Sequence, residues 1–178
     1  MVDKVTISRV HAKFRQLKSG EVADNLKAQG VTYRLNWGVQ SYRMREIAAC
    51  FEPSKELAEY LWQEDVRESK LLAPRLFPTD EMTPEDAARW VDTIPHIEVA
   101  DQLAMHLLSK LSFAPQLCHQ WIQKGQSDMR QYVALMTASR WDTVEPGLLE
   151  RAKEIVNNDA PLWLRSAALR VVEMADPF

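Results

Sequence analysis

Four prolines, Pro53, Pro84, Pro115 and Pro146, stand 31 residues apart. Each opens a segment whose apolar residues recur at helical spacing: PSKELAEYLW, PEDAARWVDTI, PQLCHQWI and PGLLERAKEIV. Proline presets a helical φ and lacks only an N–H that the first helical turn leaves unpaired, so here it marks a helix start. The spacing predicts helices that begin within about two residues of each proline. Thr83-Pro84-Glu85-Asp86 is the fullest signal, a capping hydroxyl followed by proline and by two acids at the positive end of the helix dipole. A second amphipathic segment follows each of the four: VRESKLLAPRLF, IEVADQLAMHLLSKL, MRQYVALMTASRW and LWLRSAALRVVEM. Val66-Arg67, Met129-Arg130 and Leu164-Arg165 give three of these a common phase, an arginine after an apolar residue at the helix start. Helix pairs at this period are the signature of an α-solenoid of HEAT or armadillo type. The expected fold is all-α, a right-handed solenoid of HEAT-like helix pairs without a strand between residues 50 and 175, forming one domain over residues 1–178.

At 178 residues and 46% hydrophobic, the chain can bury a substantial core. No run approaches the ~18 apolar residues of a membrane span, and MVDKVTISRVHAKF lacks the apolar stretch of a secretory signal, so a cytoplasmic monomer is expected. Cys50 and Cys118 read as small buried hydrophobes. Only five glycines occur and none builds a phosphate loop, while His11, His96, His106 and His119 match no metal-site spacing, so no cofactor or metal is expected. Trp62, Trp90, Trp121, Trp141 and Trp163 fall in the helical periodicity or at helix ends, which assigns them to the core rather than to base stacking.

Charge is uneven. Residues 1–50 hold nine Lys/Arg against four Asp/Glu, net +5, and the remainder 13 against 21, net −8. The first part can present a basic face to an anionic partner. It can equally consist of solvated helix faces laced by i,i+4 pairs. In HIEVADQLAMHLL, Asp101 sits at the edge of the apolar stripe formed by Ile97, Met105 and Leu108. Such a carboxylate either bridges to a neighbouring arginine, for instance Arg130, or faces a ligand.

WGVQSYRMREIA (residues 37–48), VRESKLLAPRLF, RWVDTIPHIEVADQ and MRQYVALMTASRW resemble, in that order, segments of the HEAT-like-repeat DNA glycosylases of the DNA alkylation repair family. The likeness runs from about residue 30 to residue 175. The first segment resembles the family's aromatic-Gly-Val loop and following helix, the third its W-D-x-x-D segment. The resemblance implies recognition of cationic N3- or N7-alkylated purines in double-stranded DNA and hydrolysis of their N-glycosidic bond. A carboxylate there stabilises the oxocarbenium character of the sugar, and Asp101 occupies its position. Arg43, Arg45, Arg67, Lys70, Arg130 and Arg165 are the expected phosphate contacts. The sequence departs from the family pattern at several places. Ile97 stands where the family has tryptophan, and Glu98 where it has the intervening acid. The family's arginine of the next repeat aligns with Gln131 or Arg130, and its second tryptophan aligns near Leu169 or Arg170. The other function class is a non-catalytic HEAT-like module that binds DNA or a protein.

Overall fold

A computed structural model describes residues 2–175. Its helices are α1 (Lys4–Gln16), α2 (Gly20–Ala28), α3 (Met44–Ala48), α4 (Lys55–Gln63), α5 (Arg67–Leu76), α6 (Pro84–Asp92), α7 (Ile97–His106), α8 (Ala114–Trp121), α9 (Asp128–Ala138), α10 (Pro146–Val156) and α11 (Leu162–Ala175). No strand occurs among the described residues; one isolated parallel bridge pairs Leu35 with Val66. The four helices expected at the prolines begin at Lys55, Pro84, Ala114 and Pro146, all within two residues of their proline. Ser54 caps α4 by accepting from the Leu57 N–H, and Thr83 caps α6 by accepting from the Asp86 N–H. Ser19 does the same for α2, so Lys18-Ser19-Gly20 separates the first two helices. The segment IEVADQLAMHLLSKL is not one helix. Its backbone leaves the α region at Leu107 (φ −128°, ψ −65°) and continues as a 3₁₀ turn over Leu108–Lys110.

The chain forms two compact units, one ending at Glu81 and the other beginning at Met82. In the first, α4 packs against α5 and α3 against α5, around Phe14, Met44, Ile47, Leu61 and Leu72. In the second, α8 packs on α9 and α10 on α11, while α7 packs on α9 and α9 on α11. The second helices of successive pairs thus form one contiguous layer, α7–α9–α11. Trp90, Leu103, Leu107, Ile122, Val133 and Ala168 are buried in this unit.

Two expectations are corrected here. Cys118 is buried and its thiol pushed up to about 12 by that burial, but Cys50 is exposed, because it follows the end of α3. Trp62, Trp90 and Trp121 are core residues, whereas Trp141, whose indole N–H donates to the Ser109 carbonyl at 3.1 Å, is only half-buried, as is Trp163, which lines a cavity.

The Trp37-Gly38-Val39 turn is held by buried charge. Glu68, at the second position of α5 and fully buried, accepts from the Trp37 N–H (3.1 Å) and the Val39 N–H (3.1 Å). Arg67 donates to Glu68 (3.1 Å) and to the Val39 carbonyl (2.8 Å). Gly38 takes φ +68°, and a Cβ there would stand 1.9 Å from the Ser19 carbonyl oxygen, so only glycine fits. The Trp37 carbonyl in turn accepts from the Ser19 N–H at 2.9 Å. The turn locks the start of α2 to the start of α5.

Candidate functional site

Asp101 lies on the face of α7 that meets α9, and the neighbouring layer of second helices supplies the rest of its surroundings. A cavity of about 250 Å³ is lined by Asp101, Gln102 and Met105 of α7, by Tyr132 and Met136 of α9 with Arg140 just beyond it, and by Trp163, Ser166, Ala167 and Arg170 of α11. The α11 residues follow the i, i+3, i+4, i+7 spacing of one helix face. Arg165 is two positions from Trp163, roughly 200° around the helix, and takes no part in the lining.

The Tyr132 hydroxyl donates to Asp101 Oδ1 at 2.8 Å. Tyr132 is itself buried and meets the Trp163 ring edge-on, with centroids 5.2 Å apart and planes at 70°. Burial raises the Asp101 carboxyl above the usual carboxylate range; the Tyr132 hydrogen bond, Arg170 and Arg140 pull it back, and Glu98 adds to the rise. Burial and the adjacent Asp101 charge raise the Tyr132 hydroxyl as well, so it serves as a donor and not as an ionised group. The arrangement is a half-buried carboxylate with one fixed donor, an aromatic wall and two guanidinium groups. It can stabilise positive charge placed against Asp101 while holding an anionic group beside it.

Asp101, Tyr132 and Trp163 are 31 residues apart, one repeat each. The register that the prolines display continues through the second helices, where no proline marks it. Tyr132 and the role of Trp163 therefore escape a reading of the sequence, although that register is the signal that could have found them. Arg140 and Arg170 carry no motif of their own and become visible only through packing.

The expected phosphate contacts are placed in different ways. Arg45 is exposed, and Arg43 is ion-paired with Glu46 at 3.0 Å. Arg67 is buried in the turn clamp, its side chain 3% exposed, which leaves it no surface to offer a phosphate. Lys70 is half-buried over the Trp62 ring (5.3 Å to its centroid), donates to the Trp62 carbonyl, and is pulled below the usual lysine range by burial, against Asp65. Arg130 does not bridge to Asp101. It grips Asp92 with two hydrogen bonds of 2.7 Å and also donates to Gln126. Arg165 is exposed. The shared arginine phase of the second helices therefore has three different outcomes. Of the departures, Ile97 is 40% exposed and outside the cavity lining, Leu169 is 44% exposed, and Arg170 is in the lining.

Residues 10–167 match the family model of the DNA alkylation repair enzymes. The chain belongs to that family. The match begins earlier than residue 30, taking in the second half of α1. A solved structure described as from "a new family of proteins related to the HEAT-like repeat DNA glycosylases with affinity for branched DNA structures" superposes on this chain. Its TM-score is 0.80 at 18% identity, over 94% of this chain and 74% of that one. At that identity the likeness establishes a shared HEAT-like fold. No curated protein matches the chain. No helix among the described residues is long and apolar enough to cross a membrane.

Proposed function

We propose that this member of the DNA alkylation repair family recognises cationic alkylated purines in duplex DNA and hydrolyses their N-glycosidic bond, with Asp101 stabilising the electron-poor sugar. The observation that carries this reading is the Asp101 cavity. A half-buried carboxylate that is held by one tyrosine and flanked by arginines is costly to keep unless it meets positive charge at some step. A formally cationic base already weakens the glycosidic bond, so the site needs a fixed charge more than a proton donor. The deciding measurement is single-turnover release of N7-methylguanine from duplex DNA. A second reading is binding without excision. It is favoured by Ile97 standing where the family has one tryptophan and by Leu169 or Arg170 standing near where it has a second, and by the branched-DNA affinity of the structural relative. Wild-type protein that binds lesion or branched DNA tightly and releases no base establishes this second reading in place of the first.

Tyr132→Phe tests the site from the proton side. The Tyr132 hydroxyl stabilises the ionised carboxylate, so its loss lifts the Asp101 pKa further. Ionised Asp101 is the working form, and the acid limb of the excision rate is therefore expected to move to higher pH in Tyr132→Phe. A pH profile that superposes on wild type removes Tyr132 from the site's electrostatics.

Arg43 and Arg45 are the proposed phosphate contacts of the first unit. Affinity for duplex DNA is expected to fall with salt at a slope near −0.9 per neutralised phosphate, and replacing both by Ala flattens it by about that amount for each phosphate no longer neutralised. An unchanged slope in an anisotropy titration takes DNA off this surface.

A further inference from the structure

We infer that Arg140 and Arg170 form a phosphate subsite at the rim of the Asp101 cavity, so that the site takes a nucleotide unit within a DNA strand and not a free cationic nucleoside. The inference rests on reading the cavity as the nucleotide site. The two arginines come from different places in the chain, one just past the end of α9 and one on α11, yet both line the same cavity. Both are exposed. Three other arginines of this unit are neutralised, Arg89 by Asp86, Arg130 by Asp92 and Arg151 by Glu154, while Arg165 is exposed outside the cavity lining. Among the described residues, no carboxylate lies within ion-pairing distance of Arg140 or Arg170. They act on Asp101 only at longer range.

Charge decides what such a cavity accepts. Its lining carries two guanidinium groups against the single Asp101 carboxylate, and the rest of the lining is uncharged. A cation alone therefore meets a net positive wall. A phosphodiester answers the two arginines, whose planar forks suit phosphate oxygens, and leaves Asp101 for the positive charge that develops on the attached sugar.

The test is anisotropy binding to a duplex with one tetrahydrofuran abasic-site analogue, which keeps sugar and phosphates but has no base to release. Wild type, Arg140→Gln/Arg170→Gln and Arg140→Lys/Arg170→Lys are titrated over about 50 to 200 mM salt. The Gln pair is expected to weaken binding and to make the log–log salt slope shallower by about 0.9, one phosphate, and the Lys pair to restore the slope. Asp101→Asn is expected to tighten binding, because it removes a negative charge beside the phosphate. A Gln pair with wild-type slope and affinity overturns the subsite. So does arginine-dependent binding of inorganic phosphate or a nucleoside monophosphate as tight as that of the duplex, which assigns the arginines to a free anion. An arginine-dependent slope in a protein that releases no N7-methylguanine keeps the subsite and sinks the hydrolytic reading.

Discussion

Asp101→Asn is expected to cut single-turnover excision of N7-methylguanine on the order of 10²- to 10³-fold, the loss seen when one preorganised electrostatic group is removed from a site. The substitution keeps the shape and an oxygen that still accepts from Tyr132, so what disappears is the charge. Stability moves the other way. Burial raises the Asp101 pKa in the folded chain, so the folded state holds this proton more tightly than the unfolded one. The resulting cost is absent below the ordinary Asp pKa of about 3.9 and fully present above the raised one. At neutral pH, Asn avoids it. Asp101→Asn is therefore expected to unfold at slightly higher denaturant than wild type at pH 7, with the advantage shrinking as pH falls through that window. Activity lost alongside stability gained is the mark of a residue kept for function. Equal release by wild type and variant removes Asp101 from the chemistry, and a variant less stable than wild type makes its role structural.

How much of this is legible in the sequence follows from what each feature depends on. Helix starts depend on local backbone chemistry, which proline, Ser54 and Thr83 display directly. Asp101 is visible because it breaks an apolar stripe. Its partners are not, because a cavity wall is made of residues from several helices, and only the 31-residue spacing links them: Asp101, Tyr132 and Trp163 follow it through successive second helices. Arg130 shows the opposite case. Its sequence phase suggests contact with Asp101 or with DNA, but Asp92, at the end of α6 in the preceding helix pair, lies near enough to take both ends of the guanidinium. Choice between two carboxylates is settled by distances of a few ångströms, which periodicity does not encode. The end of α7 escapes for a related reason, since Leu107, Leu108 and Leu111 are all buried and keep an apolar rhythm through a turn that is no longer α-helical.

Glu68→Ala is expected to lower the stability of the first unit by ~3–5 kcal/mol, the cost of removing one partner from a buried ion pair. The carboxylate is fully buried and accepts from two backbone N–H groups of the Trp37-Gly38-Val39 turn and from Arg67. Without it, two N–H groups lose their acceptor, and the Arg67 guanidinium, 3% exposed, loses the carboxylate beside it. Such a loss is a large part of the ~5–15 kcal/mol by which domains are stable. Arg67→Ala is expected to destabilise comparably, whereas Arg165→Ala, at an exposed position of the same arginine phase, is expected to leave the denaturation midpoint unchanged. That contrast separates an arginine that builds the fold from one free to meet DNA. Gly38→Ala attacks the clamp from the other side, because its Cβ meets backbone of the α2 start at 1.9 Å and cannot be relieved by a side-chain rotation. Urea denaturation of the four variants checks all of this together, and a wild-type midpoint for Glu68→Ala or Gly38→Ala defeats the account of the turn as the element that joins α2 to α5.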